Sequence, residues 1–533
     1  MKKDVLAGYV RKFNQNDEET IRQTIGNEQA LAWMQEHIPY FECADKTMEE
    51  TYYFRWWVFR KHLKETPEGC IFTEFLSDVP WAGPYNSINC ASGHHIAEAR
   101  WLRDGGKYVD DYIRFWFRGS GDVFSYSCWI VMAVYEYCLT TGDFRIAIEL
   151  LKDFVKYYTQ IERTHMTRHE LFWSNDDRDA MEKSISGSGL RPTLNSYMYA
   201  NARAISEIAA RAGDATLCRM YAAKATVLKG KINRILWDDT AQFYKAIPLA
   251  GKDSEIEELS FSKVAATHNV REEIGFIPWS FGIAEQEHDI AWKYLMDNQY
   301  FGAKCGPLTA ERCHFGSMQP NGGHECLWNG PSWPFATTQT INGIISALTR
   351  RKSEHLHKTD FMRLMRCYSK CHFRIREDGT KVNWLDENLD PDTGEWLSRK
   401  VLQDSGWPDD KGGYERGKDY NHSAFCDLII RGICGVHICA EEAVHIKPLL
   451  PEGLWDYFLL DDLPYKGRNL TILYDVTGEH YKKGRGLLIF VDGVLAKKTD
   501  ITDETEVHLG EPALWHEKNR CLFVTTAEGS TAV

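Results

Sequence analysis

The sequence predicts a mainly α-helical protein: six helical hairpins closed into an (α/α)6 barrel, with a small β-sandwich at the C-terminal end. Three observations carry this expectation. Apolar residues recur with a helical period from about residue 50 to about residue 440. Two helical stretches end on the same device, Gly142-Asp143 and Gly213-Asp214, where Gly closes one helix and Asp caps the next. Beyond about residue 441 the helical period gives way to short strand-like runs, and Asp492-Gly493 between apolar residues is a hairpin signal.

Residues 1–45 mix charged and apolar positions and read as a helical lead-in; residues 46–440 then form the barrel. Residues 124–139 are almost wholly apolar or aromatic and predict a buried helix that stops at Thr141-Gly142-Asp143. The helix after it sets Ile146, Ile148, Leu150, Leu151, Phe154, Val155 and Tyr158 on its apolar side. Residues 195–211 predict another helix, and its antiparallel partner runs to about Leu236. Further helices are expected near 51–64, 94–118, 286–297, 336–350, 358–374 and 422–435. No fixed-period self-similarity points to a solenoid instead. Long Gly-, Pro- and Trp-containing segments between helices read as functional loops. Residues 469–476 and 486–491 are strand-like and belong to the expected 441–533 β-sandwich.

Composition narrows the function classes. The 533 residues carry a net charge of −13 and no strongly basic stretch, which argues against a nucleic-acid partner. No apolar run approaches the roughly 20 residues that span a bilayer, so no membrane partner is expected. The start lacks the apolar core of a secretory signal, and 15 scattered cysteines without metal spacing read as thiols; both favour the cytoplasm. Aromatic residues reach 13%, which fits either a large core or a cleft whose flat rings meet sugar faces. No metal or cofactor is called for, and the oligomeric state is left open.

The densest acidic segment is Asn175-Asp176-Asp177-Arg178-Asp179-Ala180-Met181-Glu182. Crowded carboxylates raise one another's pKa, which is how a general acid stays protonated near neutral pH. A solvated acidic loop neutralised by Arg178 reads equally from these residues. A magnesium motif of the Asp-Asp-x-x-Asp kind fails, because Ala180 stands in its last place. A second acidic segment, Asp386-Glu387-Asn388-Leu389-Asp390-Pro391-Asp392-Thr393-Gly394-Glu395, ends in a turn. Trp328-Asn329-Gly330-Pro331-Ser332-Trp333-Pro334 forms a rigid loop, either a sugar platform or a packed connection. His94 and His95 lack a third ligand in view, so substrate contact or capping is expected of them; Asn195 reads most simply as a helix cap.

Taken in order, these segments resemble the glycoside hydrolase family 63-like group, which includes processing α-glucosidases and mannosylglycerate hydrolase-like enzymes. The matching pieces are Trp129 to Glu136 with Gly142-Asp143, Asp177 to Glu182, Leu194 to Tyr199, Ile235 to Asp239 with Phe243-Tyr244, Trp328 to Pro334, and Glu387 to Glu395. The resemblance implies a six-hairpin barrel and an inverting glycosidase acting on an oligosaccharide or glycoside. Matched by position, Asp179 is the implied general acid and Glu387 the implied general base, their carboxyls about 6.5–9.5 Å apart. Asp177, Glu182 and Asp386 are the nearest competitors for those roles. The substrate contacts expected beside them are Trp56, His95, Trp101, Trp173, Asp177, Asn195, Trp328, Gly330, Trp333 and Trp384, although Phe54 to Trp57 and Gly93 to Glu98 depart from the family's substrate strip. The terminal sandwich is similar to that of α-L-rhamnosidases. Asn329 stands where the family's loop has Arg, which bears on sugar identity. Two other readings are a related disaccharide phosphorylase and a carbohydrate-binding protein without catalysis.

Overall fold

A computed structural model describes residues 3–103, 105–254, 258–320, 323–501 and 504–510. The chain is mainly helical, with 42% helix and 15% strand, so the predicted class holds at that level.

The helices fall into two kinds. Pro192–Arg211 is buried nearly all round along most of its length, from Pro192 to Ala209. Its neighbour Ala215–Ile235 buries one stripe, Tyr221, Ala225, Leu228 and Ile232, at the spacing of a helix with one face in water. The same contrast separates Pro334–Arg350 from Lys358–Lys370, and Ile130–Thr141 from Leu151–His165. Fully buried helices thus form an inner layer and amphipathic ones an outer layer. One predicted joint closes as expected: Gly213 is left-handed at φ 78°, and the Asp214 carboxylate accepts from the Leu217 amide at 2.9 Å. At the other joint Gly142 is left-handed as expected, but Asp143 accepts from the Arg145 amide at 2.9 Å in a local turn, and Phe144 takes the cap position. The expected second helix is split into Arg145–Glu149 and Leu151–His165, and Ile148 of its apolar side is exposed.

Several predicted helices come out differently. The stretch from Phe124 to Trp129 is irregular, and the helix begins at Ile130. The Asn89 side chain accepts from the Tyr126 amide and the Ser125 hydroxyl there, drawing the chain away from a helical path. The 94–118 expectation splits into Ser92–Ala99 and Gly105–Arg118. Residues Gln286–Tyr294 are a 3-10 helix, and 422–435 reduces to Cys426–Leu428 followed by a π turn at Ile429–Ile433.

A five-stranded antiparallel sheet has the order Tyr40–Cys43, Tyr457–Tyr465, Arg468–Asp475, Gly486–Val491, Val494–Thr499. The lead-in is therefore not wholly helical: Tyr40 pairs with Asp461 and Cys43 with Phe458. Asp492 and Gly493 both have positive φ, as a two-residue hairpin turn requires. Alternation divides this sheet. Phe458, Leu460, Ile472 and Ile489 join the core shared with the helices, and Leu459, Leu473, Leu488 and Phe490 form a separate apolar cluster. A second sheet joins Val436–His437, Ala443–Ile446 and Thr505–His508. The predicted terminal unit includes residues 511–533, which lie outside the described residues. Among the described residues no helix is long and apolar enough to cross a membrane, and the described cysteines are free thiols.

Candidate active site

Loops from five parts of the chain converge on a cavity of about 400 Å³. Glu74, Phe75, Trp81 and Cys90 come from the segment after strand Gly69–Phe72. Tyr126 comes from the irregular entry to the Ile130 helix. Asn175, Asp177, Arg178, Ala180 and Glu182 come from the acidic loop, His324, Glu325, Cys326 and Trp333 from the Trp-rich loop, and Glu387, Arg416 and Tyr420 from the last third of the chain.

The acidic loop leaves the short strand Trp173–Ser174 and returns through Gly189–Leu190, which pair antiparallel. A 3-10 turn at Asp177–Asp179 ends with Ala180 in the left-handed region. Asp179 points into the protein and does not line the cavity. Its Oδ2 lies 2.7 Å from Arg191 Nε and 3.1 Å from the Ser174 hydroxyl, and also accepts from Thr193. Its Oδ1 accepts from Ser127 at 2.6 Å. Both Asp179 oxygens are thus engaged by side-chain donors, and the Asp179 and Arg191 side chains are fully buried.

Glu182, three residues on, lines the cavity and carries an unusual proton affinity. Burial, followed by the charges of Asp177, Glu387 and Glu74, lifts its carboxyl to about 8. Across the cavity Glu387 has the opposite surroundings. Arg416 Nε donates to Glu387 Oε1 at 2.7 Å, a second Arg416 nitrogen donates to the same oxygen, and the Cys326 thiol donates to Oε2 at 3.2 Å. Glu74 hydrogen-bonds Tyr420 and the Cys90 thiol, and burial raises it to about 7. Asp386 sits behind Glu387, raised to about 7 by burial and by the Glu387 charge. One carboxyl held protonated beside one held by a guanidinium is the arrangement that general acid–base chemistry uses.

Of the sequence-predicted site residues, Asp177, Trp333 and Glu387 line the cavity. The others lie elsewhere, each for a packing reason. Trp56 is fully buried in helix Lys46–Lys61, edge-on to Tyr52 and Phe59. Trp101 is fully buried and donates to Asp427 at 2.8 Å. His95 is buried between the Tyr112 hydroxyl and the Asn421 carbonyl. Trp173 donates to the Leu249 carbonyl. Asn195 ties the Phe172 backbone to the Arg191 carbonyl, one turn earlier. Trp384 is buried against Arg374 and Arg399.

The Trp-rich loop is a buttress with one face on the cavity. Trp328 stacks on Trp333 with centroids 4.5 Å apart, and its amide donates to the Glu182 carbonyl at 3.1 Å. Gly330, at φ 145°, passes so close to Met318 that a Cβ would lie 2.8 Å from its amide nitrogen and sulfur. Asn329 holds the Gly316 and Gln319 carbonyls.

Sequence reasoning did not single out Glu74, Trp81, Glu325, Arg416 and Tyr420 as site residues. They are isolated residues in loops, without a spacing that marks them. Only the glycine-flanked run Gly412-Gly413-Tyr414-Glu415-Arg416-Gly417 offered a signal, a tightly turning loop with a charge at its centre. Away from the cavity, Cys439, Glu441 and His445 could bring three ligand atoms within 4.8 Å of one another. Lys466 donates to the Cys439 and Glu441 carbonyls there, and its charge opposes a cation.

The mannosylglycerate hydrolase MGH1-like glycoside hydrolase domain matches residues 84–423, which contain every cavity-lining residue except Glu74, Phe75 and Trp81. A solved structure named sialidase is 37% identical and superimposes with a TM-score of 0.86 over 96% of this chain. Only 45% of that protein is covered, so this chain spans less than half its length. A GH78 family rhamnosidase of Bacillus sp. GL1 has a TM-score of 0.50 and 14% identity over 86% of this chain and 41% of its own, a likeness of fold alone. A GH63 mannosylglycerate hydrolase from Thermus thermophilus, in complex with glucose, is 11% identical, with a TM-score of 0.46 over 71% of this chain and 98% of its own. With the match extending over more than half of its residues, the protein belongs to the mannosylglycerate hydrolase MGH1-like glycoside hydrolases.

Proposed function

We propose that the protein is an inverting glycoside hydrolase that removes a terminal sugar, with Glu182 rather than Asp179 as general acid and Glu387 as general base. The observation that carries this reading is the contrast between the two carboxyls sharing one cavity: Glu182 is lifted to about 8, and Glu387 is held by Arg416. Glu182 gives its proton to the departing glycosidic oxygen as that bond breaks. Glu387 takes a proton from the water whose oxygen bonds to the anomeric carbon from the opposite face. Glu182 is left ionised and Glu387 protonated, and exchange with solvent resets both. Asp179 then fixes the turn through its buried pair with Arg191.

The inner and outer helices are proposed to close as the (α/α)6 barrel, with the two C-terminal sheets as a sandwich against it. The size of the cavity suits the terminal residue of a chain and little more.

Charge favours a neutral sugar. Glu74, Asp177, Glu182, Glu325 and Glu387 share the cavity wall with two permanent cations, Arg178 and Arg416, and Lys411 lies 3.3 Å from Glu325. Arg416 is already bound to Glu387 and to Glu325, the latter at 2.9 Å. A phosphate co-substrate, or the carboxylate of a sialic acid, needs uncommitted cations; Arg178 alone would meet it against these five carboxyls, and the phosphorylase reading is the weaker for that balance. Hydrolysis of an aryl-glycoside panel, with the first-formed anomer followed by NMR, tests the reading. Inverted product from a neutral glycoside is expected, and retained configuration would overturn the mechanism.

A further inference from the structure

The loop of residues 405–421 delivers one side chain whose contacts exceed what folding the loop requires. Arg416 is 1% exposed, and each of its three nitrogens is used. Two bind Glu387 Oε1, as described; Nη1 binds Glu325 Oε1 at 2.9 Å and the Lys411 carbonyl at 3.0 Å. The guanidinium also lies 5.1 Å from the Trp81 ring centroid and 5.7 Å from that of Phe75. The backbone brings it there because Gly417 follows: a Cβ at that position would sit 1.9 Å from Asp386 Oδ1. That oxygen already accepts from the Glu387 amide at 2.9 Å and has little freedom to move.

We infer that Arg416 is a positioning residue for the base, fixing the Glu387 carboxylate through one oxygen and leaving the other, beside Cys326, to address water. This rests on the reading of Glu387 as general base. Arg416 touches no reacting atom; it acts through Glu387. A planar fork suits this task and an ammonium does not, because two nitrogens must meet one carboxylate oxygen while the third meets Glu325.

The test is steady-state hydrolysis of an aryl glycoside by the full chain, as wild type, Arg416→Lys and Arg416→Ala, with folding checked by circular dichroism. In Arg416→Ala kcat should fall by about 10-fold or more while KM changes little, and in Arg416→Lys it should fall by less. Guanidinium chloride at non-denaturing concentration should partly restore kcat in Arg416→Ala. A kcat unchanged in folded Arg416→Ala and Arg416→Lys would overturn the inference. Wild-type turnover by Glu387→Gln would instead overturn the base assignment, whatever the Arg416 variants show.

Discussion

Arg191 and Asp179 form a buried ion pair, Nε to Oδ2 at 2.7 Å, with neither side chain exposed. The pair ties the start of the Pro192 helix to the turn that carries the acidic loop. Breaking a buried pair from one side leaves the other charge without its partner and typically costs about 3–5 kcal/mol. Asp179→Asn is therefore expected to lower the melting temperature strongly, with activity lost in step with folded protein. Thermal unfolding monitored beside activity measures both. An Asp179→Asn protein of wild-type stability and no activity would return the acid role to Asp179.

Protonation gives the pH dependence. Glu182 must hold its proton to act as acid, so kcat/KM should fall along a basic limb near pH 8. Stability follows a related course. Glu74 and Glu182 keep their protons in the folded state to about 7 and 8, against an ordinary value of 4.5. Between those limits the folded protein binds more protons than the unfolded chain. Their contribution is full below about pH 4.5 and is lost as pH rises through 7 to 8. Glu182→Gln should shallow that decline, measurable as a smaller drop in melting temperature between pH 5 and pH 9.

Trp81 stands 39% exposed on the cavity wall, edge-on to Phe75. An exposed indole at a sugar site stacks on whatever sugar occupies the opening. Trp81→Ala should raise KM for a disaccharide by about 10-fold, worth roughly 1.4 kcal/mol, and leave KM for a methyl glycoside of the same sugar nearly unchanged. Equal changes for both would place Trp81 outside the leaving-group side.

Trp328 reaches the chemistry through the backbone. It stacks on Trp333, and its amide holds the Glu182 carbonyl. Trp328→Ala removes a buried aromatic, for which about 3–5 kcal/mol is usual. The expected result is a lower melting temperature together with a displaced basic limb, read from a pH–rate profile. An unmoved limb would show that the loop supports the fold only.

The helical hairpins were legible because their signals are local. Gly213-Asp214 and Asp492-Gly493 state their backbone conformations within two residues. The acidic loop announced a site, and the resemblance located the Glu387 segment. The loop did not say which carboxylate faces the cavity, because that depends on Ala180 turning left-handed and on Arg191, twelve residues away, claiming Asp179. The aromatic residues were the least legible. Trp56, Trp101 and Trp384 have the composition of a sugar platform and the positions of a core, and only packing separates the two. Arg416 lies 29 residues beyond its partner Glu387 in an irregular loop, where no period can mark it.

The assignment of the acid is tested most directly by a leaving-group series on Glu182→Gln. Aryl glycosides of the hydrolysed sugar are compared across phenols of decreasing basicity, with Asp179→Asn in parallel. A missing general acid matters only where the leaving group needs a proton. Glu182→Gln should lose about 10²–10⁴-fold on the most basic phenol and little on the most acidic. A loss that is uniform across the series for Glu182→Gln, with the graded loss appearing in folded Asp179→Asn instead, would contradict the account.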